Sequence, residues 1–145
     1  MTHLGMVTEK LTLQGYKDDP IEAYLARPTA SGSYPGVVVI HHLPGWDAWT
    51  REVARKFAEQ GYAAIAPHLF SRWGPGEPDD VAARARASWG PSDPEAMGDI
   101  GACARYLRAQ PYSSGKVGCI VFCSGGRQAY LAASQVADLD AAVDC

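Results

Sequence analysis

Two hydrophobic periods alternate along this chain, and their order predicts its architecture. Near the N-terminus the period is two. Leu11 and Leu13 share one face of the run Thr8 to Gln14, and Ile21, Ala23 and Leu25 fall in phase over Ile21 to Arg27. The link between them, Gly15-Tyr16-Lys17-Asp18-Asp19-Pro20, is turn-forming, so the two runs read as an antiparallel hairpin at a sheet edge. Pro28 to Pro35 reads as a loop. Gly36 to Ile40 then carries Val37-Val38-Val39-Ile40, apolar at every position, as in a parallel strand covered on both faces.

From Asp47, a natural N-cap, the period becomes 3.6. Trp49, Val53, Phe57 and Ala58 recur at helical spacing, with Arg51, Glu52, Arg55, Lys56 and Glu59 largely on the other side. Gly61 suits the position after a helix end, and Tyr62 to Ala66 is a second buried strand closed by Pro67. Strand, helix and strand within ~30 residues make a βαβ unit, whose crossover should be right-handed. His68 to Pro78 is a loop, and Asp79 to Trp89 a short helix. Ser92-Asp93-Pro94-Glu95 fits a capping box opening a helix with Met97, Ile100, Ala104 and Leu107 on one face to about Gln110. Gly98 and Gly101 each weaken that helix by about 1 kcal/mol relative to alanine; close packing on the sheet is one reason to keep such glycines.

The third unit is the most distinctive. Val117 to Phe122 is a short apolar run, Cys123-Ser124-Gly125-Gly126 a polar, glycine-rich corner, and Gln128 to Ala133 an Ala/Leu-rich run of helical character. A nucleophile at such a corner is lifted clear of the sheet, and the N–H groups of the new helix point at what it attacks. Ala141 to Cys145 reads as the start of another strand. The pattern as a whole predicts an α/β fold: a mostly parallel sheet with an antiparallel N-terminal hairpin and helices on both faces. Residues 1–145 suffice for one domain and not for two. Active sites of such sheets lie beyond the carboxyl ends of the strands. Three loops there hold the unusual chemistry: His41 to Asp47, His68 to Gly76 and Phe122 to Gly126.

Composition narrows the partners. Hydrophobic residues make up 47% and charged residues 20%, an ordinary globular balance, and the net charge of −3 gives no footprint for nucleic acid or an acidic membrane. No apolar run approaches the ~20 residues of a membrane span, and Met1 to Lys10 has no signal-peptide pattern, so a cytoplasmic protein is expected. Cys103, Cys119, Cys123 and Cys145 show no paired C-x-x-C spacing and read as free thiols in a reducing compartment, Cys103 and Cys119 as packing residues.

Phe122-Cys123-Ser124-Gly125-Gly126-Arg127-Gln128, preceded by Tyr112-Ser113-Ser114-Gly115-Lys116-Val117-Gly118, resembles the dienelactone hydrolase family of α/β-hydrolases. The likeness extends through Gly61 to Phe70 and Gly45 to Glu52 and covers nearly the whole chain from about Thr8. It implies an α/β-hydrolase-like fold that is C-terminally incomplete at Cys145. It implies hydrolysis of a small ester or lactone, as a carboxylesterase of carboxymethylenebutenolidase type, through a Cys-His-Asp triad with no cofactor. Cys123 matches the nucleophile. Ser124 matches one residue whose backbone N–H forms the oxyanion hole, and Leu43 the other.

Three departures qualify this. Residues 124–145 contain no histidine, and Asp138 and Asp140 come too early for the family's acid, so the triad Asp and His are expected beyond residue 145. Val121 stands where the elbow usually has glycine, and its branched Cβ is expected to crowd the strand–helix approach. His42 stands where family enzymes can carry a glutamate contacting the resting thiol; it is read as lining the site, able to orient or partly activate Cys123. The rival reading is a catalytically incomplete chain that binds small molecules or a partner, with self-association through an exposed edge at the truncated side. A metal reading of His41 and His42, with or without His68, is disfavoured because adjacent histidines point different ways and no third ligand has zinc-enzyme spacing. A nucleotide site at Ser124 to Arg127 lacks both phosphate-loop signatures. Arg72, Arg84 and Arg86 are read either as anchors for a substrate carboxylate or as solvated charges. Trp46, Trp49, Trp73 and Trp89 are read mostly as core or pocket wall.

Overall fold

The computed structural model describes residues 5–42, 44–122, 131 and 135–145. Six strands form one sheet: β1 (Met6–Gln14), β2 (Pro20–Pro28), β3 (Tyr34–Ile40), β4 (Ala63–Pro67), β5 (Ser113–Val121) and β6 (Ala141–Asp144). Their order is β1-β2-β4-β3-β5-β6. β1 and β2 form the expected antiparallel hairpin, and β2 also runs antiparallel to β4. The β3–β4, β3–β5 and β5–β6 pairs are all parallel. β3 begins two residues earlier than its apolar run, at Tyr34, because the Tyr34 N–H is bonded to the Tyr112 carbonyl and Tyr34 pairs with Ser113.

Helices cover both faces. α1 (Ala48–Glu59) packs on one, α2 (Pro78–Ala87) and α3 (Asp93–Arg108) on the other. The strands alternate between the two layers, as a doubly covered sheet requires. Val37, Val39, Ala64 and Ala66 face α1, while Val38, Ile40, Ala63, Ile65, Val117, Cys119 and Val121 face the α3 side. The α3 stripe is as read from sequence: Met97, Ile100, Ala104 and Leu107 are all buried. Its capping box is complete, with Ser92 Oγ accepting from Glu95 N and Glu95 Oε1 accepting from Ser92 N.

The α1 stripe is a correction. The buried residues are Thr50, Ala54 and Ala58, with Val53 and Phe57 only partly buried and Trp49 44% exposed. Small side chains bring the helix close to Ala64 and Ala66 of β4, and the gap is filled by Trp46, whose indole N–H donates to the Ala66 carbonyl at 2.9 Å. Trp49 is turned to the carboxyl edge of the sheet instead. Trp89, also read as core or wall, is 96% exposed.

Gly98 makes the close approach suspected of it, but to a different neighbour. A Cβ there would lie 2.8 Å from the Tyr16 Cβ, so at Gly98 the helix abuts the turn Tyr16–Asp18 that joins β1 to β2, while its buried stripe packs on the sheet. Beside it, Arg72 proves to be a structural cation. It meets Asp99, which is fully buried, at 2.8 Å, Asp19 at 3.0 Å and Glu95 at 3.1 Å. Its bonds to Asp99 outweigh its partial burial and raise its pKa further, so the guanidinium stays charged. Arg84 is likewise occupied, donating to the Trp73 and Pro75 carbonyls. Among the described residues no helix is long and apolar enough to cross a membrane. β6 pairs with β5, and its Val143 is 50% exposed.

Candidate active site

The carboxyl ends of β3, β4 and β5 lie side by side. The last register pair of β3 and β5 is Ile40 with Val121, and the next residues in sequence are His41, His42 on one chain segment and Phe122, Cys123 on the other. Cys123, Ser124 and Leu43, the three residues matched to nucleophile and oxyanion hole, lie outside the described residues, as does most of the run after the corner. The described residues around them define the scaffold they are attached to. Val121 does not project into a gap. It is fully buried in the α3-side core with Val117 and Cys119.

Two histidines follow β3 directly, and their ring nitrogens have different partners. His41 is buried and uses both ring nitrogens: Nδ1 donates to the His42 carbonyl at 3.0 Å, and Nε2 accepts the Leu69 N–H at 3.1 Å. That pattern needs one donor and one acceptor, hence a neutral ring with the proton on Nδ1. Burial, chiefly, lowers its pKa from 6.5 to about 4. His41 therefore ties β3 to the segment after β4 and is no free ligand.

His42 behaves differently. Its Nε2 meets Asp47 Oδ2 at 3.1 Å, and its side chain remains 24% exposed. Its ring sits 4.8 Å from that of Trp49, and Trp49 in turn meets Phe122 edge-on at 5.1 Å. Contacts thus run from His42 to the residue immediately before Cys123. Asp47 is doubly employed. Its Oδ1 accepts the Thr50 N–H at 3.0 Å, capping α1, and the Thr50 hydroxyl at 3.1 Å. Partial burial opposes ionisation of Asp47, but the bonds from Thr50 and His42 outweigh it and hold the carboxyl below its usual range. A carboxylate fixed by a helix cap and bonded to one imidazole nitrogen sets the tautomer of that imidazole. With Nε2–H given to Asp47, Nδ1 is the nitrogen able to take a proton. Sequence reasoning found His42 and found Asp47 as a cap, but missed their pairing. The signal was their spacing across the Pro44-Gly45 turn, where Gly45 has φ +100° and folds the chain back.

Other candidates are placed elsewhere. Asp138 pairs with Arg105 at 3.0 Å, and Asp140 accepts from Arg108 at 3.0 Å and from the Val117 N–H at 2.8 Å. Both brace α3 against the entry to β5, at the end of the sheet opposite the corner. Cys103 and Cys119 are buried free thiols, and burial raises the Cys119 pKa to about 11. His68 stacks on Trp46 with ring centroids 4.8 Å apart, and no group of three metal-binding side chains converges among the described residues.

The family model described as the dienelactone hydrolase family matches residues 21–145. A carboxymethylenebutenolidase of Pseudomonas putida is 38% identical over 136 residues, 90% of this chain and 57% of its own length, and one from Pseudomonas knackmussii matches to the same extent. A dienelactone hydrolase-like promiscuous phosphotriesterase from metagenomic libraries has a similar structure. Its TM-score is 0.79 at 26% identity, over 97% of this chain and 59% of that one. The chain thus spans a little over half the length of the relatives it matches, and within that span sheet order, elbow sequence and family model agree: it belongs to the dienelactone hydrolase family.

Proposed function

We propose that the protein is a hydrolase of small esters or lactones that works by covalent catalysis from Cys123, in a Cys-His-Asp triad whose Asp and His lie beyond residue 145. The observation that supports it best is the register of β3 and β5. It ends at Ile40 and Val121, so the elbow sequence starts at the carboxyl edge of the sheet beside the His42–Asp47 loop. The Cys123 thiolate attacks the acyl carbon, and the backbone N–H groups of Leu43 and Ser124 receive the developing oxyanion. The C–O bond breaks, and the alcohol leaves with a proton from the triad histidine. Water, giving its proton to that histidine, then cleaves the thioester and releases the carboxylate and the thiol. His42 activates the nucleophile. Held by Asp47, it takes the Cys123 thiol proton on Nδ1, and the resulting imidazolium pairs with the thiolate, at the position where family enzymes can carry a glutamate.

Turnover of p-nitrophenyl acetate and of a simple aryl lactone tests this. Cys123→Ala should lower kcat/KM by at least about 10³-fold, and an acetyl group should be trapped on Cys123 in the parent by mass spectrometry. Turnover that survives the substitution removes Cys123 from the mechanism. Absence of both turnover and acylation in the parent favours the rival, a binding module. His42→Gln should shift the pH profile of Cys123 alkylation while leaving the thermal transition in place.

A further inference from the structure

A cavity of about 600 Å³ opens on the β1–β2 side of β4. Its lining runs from Lys10 to Pro78 and includes no residue of β3 or β5. Cys123 follows β5, two strands further along the sheet. The described lining shares no residue with Cys123, Ser124, Leu43 or the His42–Asp47 pair, and its chemistry does not depend on the reading proposed above.

Basic groups are concentrated on one of its walls. The Lys10 Nζ lies 5.6 Å and the Arg51 guanidinium carbon 5.5 Å from the centroid of the Trp46 ring, on which His68 is stacked. Arg55, Arg72, Arg105 and Arg108 each have a carboxylate within 4.0 Å, whereas neither Lys10 nor Arg51 has one among the described residues, and Arg51 donates only to the Trp46 carbonyl, at 3.5 Å. His68 adds a third unmet demand. Its Nδ1 is buried without a hydrogen-bond partner, and the nearest carboxylate oxygen, Glu22 Oε2, stays 4.0 Å away. A buried, unpaired ring nitrogen costs about 1–3 kcal/mol unless something reaches it. The wall also sits in a positive field. Burial first, and then the charges on the His41, Lys10 and Arg51 side, lower the His68 pKa to about 4.

We propose that this cavity binds a small organic carboxylate. Its charge sits between Lys10 and Arg51, and one of its oxygens accepts the Nδ1–H of His68. Two features select the class. Arginine offers a planar pair of donors that matches a carboxylate. The lining also carries Glu22 and Glu77, which offset the two cations overall and so favour a monoanion at the basic wall over a dianion. The volume is that of a small-molecule site.

Benzoate is the probe, used with the intact protein. Calorimetric titration should show one saturable site, with inorganic phosphate binding more weakly. The double variant Lys10→Met/Arg51→Met should weaken benzoate at least about tenfold, equivalent to 1.4 kcal/mol, and Cys123→Ala should leave it unchanged. A measurement free of any variant accompanies these: the imidazole proton resonances of His68 should move on titration and its pKa should rise, while those of His42 stay in place. Absence of saturable binding, equal affinity in the double variant, or a His68 resonance indifferent to benzoate each overturns the proposal. Loss of binding in Cys123→Ala alone would move the carboxylate to the elbow and overturn it as well.

Discussion

At the scale of the residue, His41 shows how one buried side chain makes stability depend on pH. Its neutral ring donates to the His42 carbonyl and accepts from the Leu69 N–H. Protonating Nε2 would set two donors against each other. The folded pKa is about 4 against 6.5 for the free side chain, so between these values the unfolded chain binds more protons than the folded one. Stability from this group is thus fully present above pH 6.5 and is lost as pH falls toward 4, on the order of 3 kcal/mol in all. His68, shifted the same way, adds to the fall. Urea midpoints measured from pH 7.5 to 4.5 should decline through this window. His41→Asn, whose amide can supply one donor and one acceptor, should be less stable at pH 7.5 but should show a shallower decline. A parent midpoint that stays flat to pH 5 would contradict the assignment.

At the scale of the element, α3 carries two glycines that sequence alone treats alike. Alanine would gain about 1 kcal/mol of helix propensity at either. At Gly98 the new Cβ would lie 2.8 Å from the Tyr16 Cβ and 3.1 Å from its Cα, which cannot move without the turn. Overpacking of this kind costs about 1–3 kcal/mol, so Gly98→Ala should lower Tm. At Gly101 the nearest atom, at 3.2 Å, is the Arg105 Nη1, the far end of a flexible side chain, so Gly101→Ala should raise Tm. Shifts of the same sign in both would refute this. The pair marks where sequence reading stops. Every strand, the three helices and the capping box were legible because period and caps are local properties. The partner of Gly98 lies in a turn some 80 residues earlier, and nothing local announces it. The same holds for the α1 stripe: spacing gave the helix, but which side of it is buried was decided by the small residues Ala64 and Ala66 of a later strand. In the site, the elbow lies outside the described residues, and the His42–Asp47 bond needed the Gly45 turn.

At the scale of the whole molecule, Arg72 joins parts that are far apart in sequence. Through Asp19 it holds the hairpin end, through Glu95 and Asp99 the first turns of α3, and Asp99 also accepts the Tyr16 N–H at 3.0 Å. A loop arginine facing the strand ends looked like a substrate anchor, but three acids, one at the hairpin end and two on α3, claim it. Arg72→Met would leave the fully buried Asp99 without its counter-ion, which should cost about 3–5 kcal/mol in denaturant unfolding. Adding Asp99→Leu should restore part of the loss. A single-variant loss below about 1 kcal/mol would show that solvent replaces the arginine.

The strand order also sets a timetable. β3 is the innermost of the parallel strands, and both of its neighbours are made after it: β4 soon afterwards, β5 only when Val121 has followed Ile40 by about 80 residues. A ribosome adding 5–20 residues per second leaves one backbone edge of Val37-Val38-Val39-Ile40 uncovered for about 4–16 s. During that interval an apolar, β-branched run presents an open edge that can pair with other chains. Substitutions that slow the docking of β5 will therefore reduce the amount of soluble protein a cell accumulates, even where the molecules that do finish folding are as stable as the parent.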